Sequence, residues 1–247
     1  MTGLRQRIAA RQPLRGPFIA IPSPMSVEIV AGARPDFICI DTEHSPIGDA
    51  LLADMIRAAD VAGVPALVRV RGKGAEHIAA ALDAGAAGVV VPHVSTEAEA
   101  RAAVHAARFA PEGGRGAGPG RAAAYLRDIP GAIARARRDT VVALQLETLE
   151  AVANVEAILA VPGIDLAFIG PGDLAVDRDA RGEAAPLSDL IDRMVAAASA
   201  AGVPAGIFTA TRDASRVWLG RLAFVIEGSD ALYLTRASDD ALAPLPA

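Results

Sequence analysis

Residues 142–169 read VALQLETLEAVANVEAILAVPGIDLAFI, which is a short apolar run, a longer alanine-rich stretch and a second short apolar run. The two runs, Val142–Leu146 and Leu166–Ile169, are almost wholly apolar, which is typical of parallel strands covered by helices on both sides. The stretch Leu149–Leu159 between them has the apolar spacing of a helix. The segment therefore predicts a strand–helix–strand unit.

The same alternation continues in both directions along the chain. Six further strands are predicted at Phe18–Ile21, Phe37–Ile40, Ala66–Val70, Gly88–Val91, Ala205–Phe208 and Phe224–Glu227. Further helical patterns occupy Asp49–Ala62, Ala75–Ala84, Thr96–Ala107 and Leu187–Ala200. Gly63, Gly85 and Gly202 fall just past three of these helices, where a left-handed cap is expected.

Eight strands that alternate with helices predict an α/β fold, a (β/α)8 TIM barrel. We expect one domain over residues 1–247, with residues 1–15 as an N-terminal extension or helix. A doubly wound open sheet is the alternative, but no G-x-G-x-x-G motif follows the first strand to support it.

The composition of the 247 residues excludes several classes of protein. A net charge of −5 without a basic run argues against nucleic-acid binding. No run of about 18 uncharged apolar residues is present, so no membrane span is expected. The single cysteine excludes a disulfide framework and a cysteine-based zinc site, and it fits a reducing, cytoplasmic location. Residues 1–15 lack the apolar core of a signal peptide.

The chain has only one lysine among its 24 basic residues. Lys73 lies in Arg71-Gly72-Lys73-Gly74, which is typical of a loop, whereas covalent amine chemistry needs a desolvated lysine. The sequence therefore argues against a Schiff-base mechanism and against a pyridoxal phosphate enzyme.

Polar side chains are concentrated where the predicted strands end. In a barrel of parallel strands these ends form one face, and the active site is built there. The polar groups at strand ends are Asp41-Thr42-Glu43-His44, Arg69, His93, Gln145, Glu147, Gly170-Pro171-Gly172-Asp173 and Gly228-Ser229-Asp230. Two long irregular segments, Pro111–Gly120 and Asp177–Pro186, are expected to be loops of the same face.

Glu147 and Asp173 follow neighbouring strands and form the best candidate metal pair. Two carboxylates, completed by water and substrate, make the hard oxygen site that Mg²⁺ or Mn²⁺ prefers. Each acid taken alone could instead cap a helix or lie in solvent. Arg69 could hold a carboxylate or a carbonyl oxygen, or it could form an ion pair with Asp41 or Glu43.

The four histidines differ in their surroundings. His44 stands beside two acids and, if oriented by Asp41, could act as a general base near neutral pH. His93 could line the site, although a loop position is the simpler interpretation. His77 and His105 lie within helical patterns, and Asp83 is placed at the end of a helix.

Taken together, these residues resemble the HpcH/HpaI aldolase/citrate lyase family, in its metal-dependent class II pyruvate aldolase branch, from about residue 18 to 234. The matching strings are Ser23-Pro24 with Glu28, Ile40-Asp41-Thr42-Glu43-His44, Val68-Arg69, Leu82-Asp83-Ala84-Gly85-Ala86, Val91-Pro92, Pro111 with Arg115-Gly116, Gln145-Leu146-Glu147-Thr148 and Phe168-Ile169-Gly170-Pro171-Gly172-Asp173-Leu174. Their joint order and spacing make the resemblance specific.

The resemblance implies a divalent metal on Glu147 and Asp173, either Mg²⁺ or Mn²⁺ with Co²⁺ as a further option. It implies that a 2-oxo acid such as pyruvate chelates this metal. Arg69 would steady the keto oxygen, and Gln145 would lie in or next to the coordination sphere. The backbone N–H groups of Gly172 and Asp173 would receive the substrate carboxylate.

The resemblance also implies the proton chemistry. His44, paired with Asp41, would act as the base through water, and Asp83 would reach the site of a neighbouring subunit. The metal-bound pyruvate enolate would then add to an aldehyde, so that 4-hydroxy-2-oxo acids are formed or cleaved. No lysine is needed for this reaction.

Two other functions remain open at this point. Some family members resemble citrate synthases of siderophore pathways, which condense oxaloacetate with acetyl-CoA, and such a partner would favour Arg115, Arg121 and Arg178 at the mouth. A regulatory subunit that binds metal or keto acid is the non-enzymatic alternative. The resemblance further implies a homo-oligomer, a hexamer built as a trimer of dimers that exchange C-terminal helices, and Ala231–Leu242 is amphipathic.

Overall fold

The computed structural model describes residues 3–243 of the chain. Its eight parallel strands form one closed barrel in chain order. The strands are β1 (Leu14–Ile19), β2 (Ile38–Asp41), β3 (Ala66–Arg69), β4 (Gly88–Val91), β5 (Val141–Leu146), β6 (Leu166–Ile169), β7 (Ala205–Thr209) and β8 (Phe224–Ser229). The predicted (β/α)8 TIM barrel is confirmed.

Helices connect the strands and cover the outside of the barrel. They are α1 (Leu4–Ala9), α2 (Pro24–Ala31), α3 (Asp49–Ala62), α4 (Ala75–Asp83), α5 (Glu97–Ala107), α6 (Ile129–Asp139), α7 (Leu149–Ala153), α8 (Val155–Leu159), α9 (Pro171–Ala180), α10 (Leu187–Ala200), α11 (Arg212–Leu219) and α12 (Asp230–Ala241). Among the helices of residues 3–243, none has the length and apolar character needed to cross a bilayer.

The core has two layers because each strand is apolar on both faces. Inside the barrel, Phe37 stacks on Phe224 at 4.3 Å between ring centroids, and Phe168 meets Phe224 edge-on at 6.4 Å. Outside the barrel, alternate strand residues pack against the helices and form the larger cluster. Side chains thus fill the interior of the barrel below its rim, which is formed by the C-terminal ends of the strands. Polar groups have room only at this rim.

Most predicted elements are found within one or two residues of their expected bounds. The first strand differs, because it begins at Leu14 rather than at Phe18. Leu14 and Arg15 pair with Phe224 and Val225 of β8, so this early part of β1 closes the barrel although a charged residue interrupts its apolar run. The predicted helix Leu149–Leu159 is divided into α7 and α8 at Asn154.

The left-handed helix caps are also present. Gly63, Gly85 and Gly202 have φ angles of 71°, 102° and 73°. These values lie in the region that residues with a Cβ adopt only at a cost, and they explain why glycine stands at these three turns.

The expected position of Pro111–Gly120 is wrong. This segment follows α5, and the helices of the barrel return the chain to the N-terminal end of the next strand. The segment therefore lies at the end of the barrel opposite to the strand C-termini. Asp177–Pro186 follows β6 as expected, but its first four residues form the last turn of α9.

Candidate functional site

The rim of the barrel holds a buried ion pair between β2 and β3. Arg69 donates from Nε to Oδ1 of Asp41 at 2.9 Å and from Nη2 to Oδ2 at 2.7 Å. Its Nε also lies 3.3 Å from Oε2 of Glu43. Burial by itself lowers the pKa of Arg69, but the bonds and charges of Asp41 and Glu43 outweigh it and raise that pKa. Arg69 therefore stays charged and fixed in orientation.

Asp41 orients Arg69 rather than the ring of His44, which corrects the expected Asp41–His44 side-chain pair. From His44, Asp41 accepts only the backbone N–H, at 3.3 Å, and it also accepts the backbone N–H of Glu43, at 3.1 Å. The imidazole of His44 is 58% exposed, and its Nε2 lies 3.6 Å from Oε2 of Glu43. A bidentate guanidinium satisfies both carboxylate oxygens, so it occupies the place that the imidazole was expected to take.

Glu147, just past the end of β5, is the most buried acid of the rim, with 0% exposure. Its Oε2 accepts a hydrogen bond from the Nε2 of Gln145. Gly170, after β6, makes room for this carboxylate, because a Cβ there would lie 2.5 Å from Oε2 of Glu147. The short apolar strands and the glycine together bring an acid into a space with almost no solvent.

The electrostatics of Glu147 fit a bound cation. Burial raises the pKa of Glu147, and the nearby charge of Asp173 raises it further, against the hydrogen bonds from Gln145 and His93. The buried Oε1 of Gln145 has no hydrogen-bond partner. Among residues 3–243, no group of three or more His, Cys, Asp or Glu side chains is arranged to hold a metal ion. Glu147 and Gln145 each present an oxygen at the rim, the ligand type that hard divalent cations take.

His93, between β4 and α5, lies in the site, the position that the sequence left open beside the simpler loop interpretation. Its Nε2 is 3.0 Å from Oε1 of Glu43, and its Nδ1 is 3.0 Å from Oε1 of Glu147. The signal was its position two residues after a barrel strand, close to the place that Glu147 has after β5. Glu43, a neighbour of the expected residues, is likewise part of the site.

The first turn of α9 brings Gly172 and Asp173 to the same face. Pro171 occupies the first position of this helix, so the first free N–H groups are those of Gly172 and Asp173. Free N–H groups at the positive end of a helix are suited to an anion such as a carboxylate. Both residues are exposed at the mouth of the barrel.

Aromatic rings form one wall of the mouth. The guanidinium of Arg69 lies over the ring of Phe18 at 4.3 Å, and Phe208 packs against Phe18 at 5.9 Å between centroids. The wall limits water on one side of Arg69, and a charge–ring contact of this kind further restricts the orientation of the guanidinium.

Asp83 lies far from these residues, at the end of α4 and at the opposite end of the barrel. It accepts a hydrogen bond from Nη2 of Arg115 at 2.7 Å. Both residues line a cavity of about 430 Å³ that also includes Arg121. Within one chain, therefore, Asp83 does not join the other site residues.

The geometry gathers the other expected site residues at one face. Together they can hold a divalent cation, direct a fixed positive charge at an oxygen, receive a carboxylate and offer an exposed imidazole to a proton. The grouped residues are Asp41, His44, Arg69, Gln145, Glu147, Gly172 and Asp173, with Glu43 and His93 added by the structure.

The chain is similar to known proteins along almost its whole length. A hydroxypyruvate/pyruvate aldolase of Rhizorhabdus wittichii is 35% identical over 94% of both chains. A 4-hydroxy-2-oxovalerate aldolase of Novosphingobium aromaticivorans is 35% identical over 92% of this chain and 88% of its own. The crystal structure of the citrate synthase SbnG is similar with a TM-score of 0.86 at 27% identity, over 98% of this chain and 96% of that one. Because the sequence model of the HpcH/HpaI aldolase/citrate lyase family matches residues 15–236, which include every residue of the site, the chain belongs to that family.

Proposed function

We propose that the protein is a class II, metal-dependent aldolase, a carbon–carbon lyase that forms or cleaves 4-hydroxy-2-oxo acids from a 2-oxo acid such as pyruvate and an aldehyde. The observation that carries the proposal is a fully buried Glu147 beside Gln145, whose Oε1 has no hydrogen-bond partner. The charged, fixed Arg69 lies on the same rim of the barrel. The aldolase relatives, which share about a third of the sequence, support the same chemistry.

Glu147 and Asp173 would hold the divalent cation, with Gln145 beside it. Oxygen donors favour Mg²⁺ or Mn²⁺, with Co²⁺ as a further option. When bound, the cation supplies Lewis-acid stabilisation of negative charge on the substrate. The exclusion of water around Glu147 strengthens its attraction for a cation.

Arg69 would stabilise the keto oxygen as proton removal makes it negative. The ion pair with Asp41 keeps the guanidinium in place before the substrate arrives, and preorganised donors of this kind contribute most to electrostatic catalysis. The N–H groups of Gly172 and Asp173 would bind the carboxylate of the 2-oxo acid. Both ends of the small substrate are then fixed by the chain itself.

His44 is the proposed base, and its exposure supports a proton transfer that passes through water. Its Nε2 lies 3.6 Å from Oε2 of Glu43, and histidine is the side chain most often used as a general base. Lys73 has no part in a covalent step because its side chain is 41% exposed and forms an ion pair with Glu99.

The assembly of the molecule belongs to the proposal as well. In α12 only Asp230 is buried, and Leu234 is 60% exposed. An unpartnered apolar face of this kind supports a homo-oligomer in which α12 packs on a neighbour, as in a hexamer made of three dimers. In the proposed oligomer, Asp83 would reach a neighbouring subunit's site. The cytoplasmic location stays a prediction.

A citrate synthase-like condensation of oxaloacetate with acetyl-CoA is the second candidate, favoured by the similarity to the citrate synthase structure. The three arginines expected at the mouth do not form the basic rim that coenzyme A would need. Arg115 and Arg121 lie at the other end of the barrel and pair with Asp83 and Asp60, and Arg178 pairs with its neighbour Asp179. Release of free thiol from acetyl-CoA in the presence of oxaloacetate would support this candidate.

The decisive experiment is exchange of the pyruvate methyl protons in D2O, followed by proton NMR, because it needs no knowledge of the aldehyde. We expect exchange with Mg²⁺ or Mn²⁺, none after chelation, and recovery when the metal is returned. Glu147→Gln should abolish exchange and metal binding together. Full exchange in the presence of a chelator would contradict the metal role of Glu147.

A further inference from the structure

The link between β4 and α5 holds the most unusual backbone of the site. His93 has a φ of 55°, in the left-handed region that residues with a Cβ seldom adopt. Strain of this kind persists only where the surroundings enforce it, and it concentrates at functional sites. In this conformation the backbone N–H of His93 donates to Oε1 of Glu147 at 2.8 Å, and the ring Nδ1 lies 3.0 Å from the same oxygen.

Lys73, from the loop between β3 and α4, binds the carbonyl group of His93. Its Nζ donates to the carbonyl oxygen of His93 at 3.2 Å and forms an ion pair with Glu99. Glu99 in turn accepts the backbone N–H groups of Ser95 at 2.8 Å and Thr96 at 3.2 Å. The carbonyl of His93 and the N–H groups of Ser95 and Thr96 are therefore all bonded to a single charged pair.

A second set of bonds joins this loop to the start of α7, directly after Glu147. The hydroxyl groups of Ser95 and Thr148 are 2.8 Å apart, and the Nδ2 of Asn154 donates to the carbonyl oxygen of Ser95 at 2.9 Å. The segment from His93 to Thr96 is thus bonded to both ends of α7, the helix that follows Glu147. It has little freedom to relax without disturbing that carboxylate.

We propose that Lys73 is a positioning residue for the metal site: by holding the carbonyl of His93, it keeps the N–H of His93 on Glu147 and so sets the orientation of the carboxylate toward the cation. This inference rests on the metal role of Glu147 in the proposed function. Partners that orient a metal ligand commonly contribute 10- to 100-fold in metal affinity. Because Lys73 acts one bond further away, we expect roughly a 3- to 10-fold effect.

The test is the dissociation constant of Mn²⁺, measured on the full chain from the electron paramagnetic resonance signal of free Mn²⁺. Lys73→Met should weaken binding roughly 3- to 10-fold, and Lys73→Arg, which retains a charged donor, should restore most of it. The matched control is Arg101→Met, which removes an exposed ion pair with Glu97 on α5 but no contact with the loop. At saturating Mn²⁺, we expect Lys73→Met to regain the rate of pyruvate exchange.

The outcomes separate this inference from the proposed function. If the wild-type protein binds no Mn²⁺, both fail. If the wild-type protein binds Mn²⁺ and Lys73→Met binds it as tightly as wild type and Arg101→Met, only the positioning role is overturned. If Lys73→Met does not fold, the Mn²⁺ affinity of Glu99→Gln is measured instead, because this variant weakens the ion pair that holds Lys73. Reduced affinity supports the positioning role of Lys73, and unchanged affinity overturns it.

Discussion

At the scale of single residues, Asp41 and Arg69 carry opposite charges into a rim where little water is available. The pair is bidentate and buried, so each charge depends on the other for its solvation. The sequence left open whether Arg69 meets substrate or an acid. In the structure it is held by an acid, Asp41, and its contact with a substrate oxygen stays a proposal.

Arg69→Lys should lower the rate of pyruvate methyl exchange by about 100- to 1000-fold, the range found when one preorganised donor to a developing oxyanion is lost. Lysine retains the charge but lacks the planar fork that pairs with both oxygens of Asp41. Proton NMR in D2O measures the rate, and Mn²⁺ affinity should change little because Arg69 is not a metal ligand. A rate close to wild type would remove Arg69 from catalysis.

His44→Ala should reduce kcat by about 100-fold or more, the scale of a general base, with Mn²⁺ binding and thermal stability retained. The imidazole is exposed and contributes no packing to the core. His77→Ala, on α4 and outside the site, is the matched control and should behave as wild type. An unchanged kcat in His44→Ala would show that another group removes the proton.

Cys39 provides a prediction about pH. Burial raises the pKa of its thiol, because the charged thiolate is disfavoured inside the barrel. The thiolate is the reactive form, so at pH 8 the folded protein should not react with a disulfide reagent such as Ellman's reagent. In denaturant one thiol per chain should react, since the chain has one cysteine. Rapid reaction of the native protein would contradict the enclosed position.

At the scale of elements, the close approach of neighbouring strands depends on small residues. Gly16 lies at a register shift in β1, and a Cβ there would lie 2.0 Å from the carbonyl oxygen of Phe37. Because the contact is with backbone, it cannot be relieved by rotating a side chain. The first strand was the one whose bounds the apolar pattern predicted least well, because Arg15 interrupts its apolar run.

Gly16→Ala should reduce the free energy of unfolding by about 1–3 kcal/mol, the cost of forcing an extra carbon into a packed structure. Urea denaturation at one protein concentration measures it. Gly48→Ala is the matched control, because a Cβ at Gly48 meets nothing within 4 Å and its φ of −79° is ordinary. Equal stability of the two variants would contradict the tight contact between β1 and β2.

At the scale of the whole molecule, α12 is the element that the barrel does not bury. Its N-terminus is anchored, since Asp230 accepts the backbone N–H of Ala20 at 2.7 Å, yet Tyr233 and Leu234 are exposed. An apolar helix face without a partner is costly in water. The amphipathic pattern of Ala231–Leu242 predicted this face, and the fold shows that one chain does not cover it.

Leu234→Glu should therefore shift the protein from an oligomer to smaller species, as measured by size-exclusion chromatography with light scattering. A charge on the buried side of an interface removes apolar contact and adds a desolvation cost. Circular dichroism should show an intact barrel, because Leu234 lies outside its core. A wild-type protein that elutes as a monomer would contradict the proposed assembly.

The sequence determined the barrel and most of its site because both follow from local patterns. Short strands that are apolar on both faces, helical spacing between them and polar residues at the strand ends are each readable within a few residues. They predicted the barrel fold and the positions of Glu147, Asp173 and Arg69 at the C-terminal ends of the strands. The metal pairing of Glu147 with Asp173 stays a prediction. The single Lys73 in a polar loop likewise argued correctly for an exposed side chain.

The tertiary structure decided which polar groups meet. Asp41 binds Arg69 instead of the ring of His44, and His93 lies between Glu43 and Glu147, although these residues come from four different strand ends. Pro111–Gly120 lies at the opposite end of the barrel from the site, next to Asp83. Such outcomes depend on barrel register, on the direction in which helices return the chain, and on competition between donors for a few carboxylate oxygens. Each outcome depends on distances between segments that are remote in sequence, so no local sequence pattern predicts it.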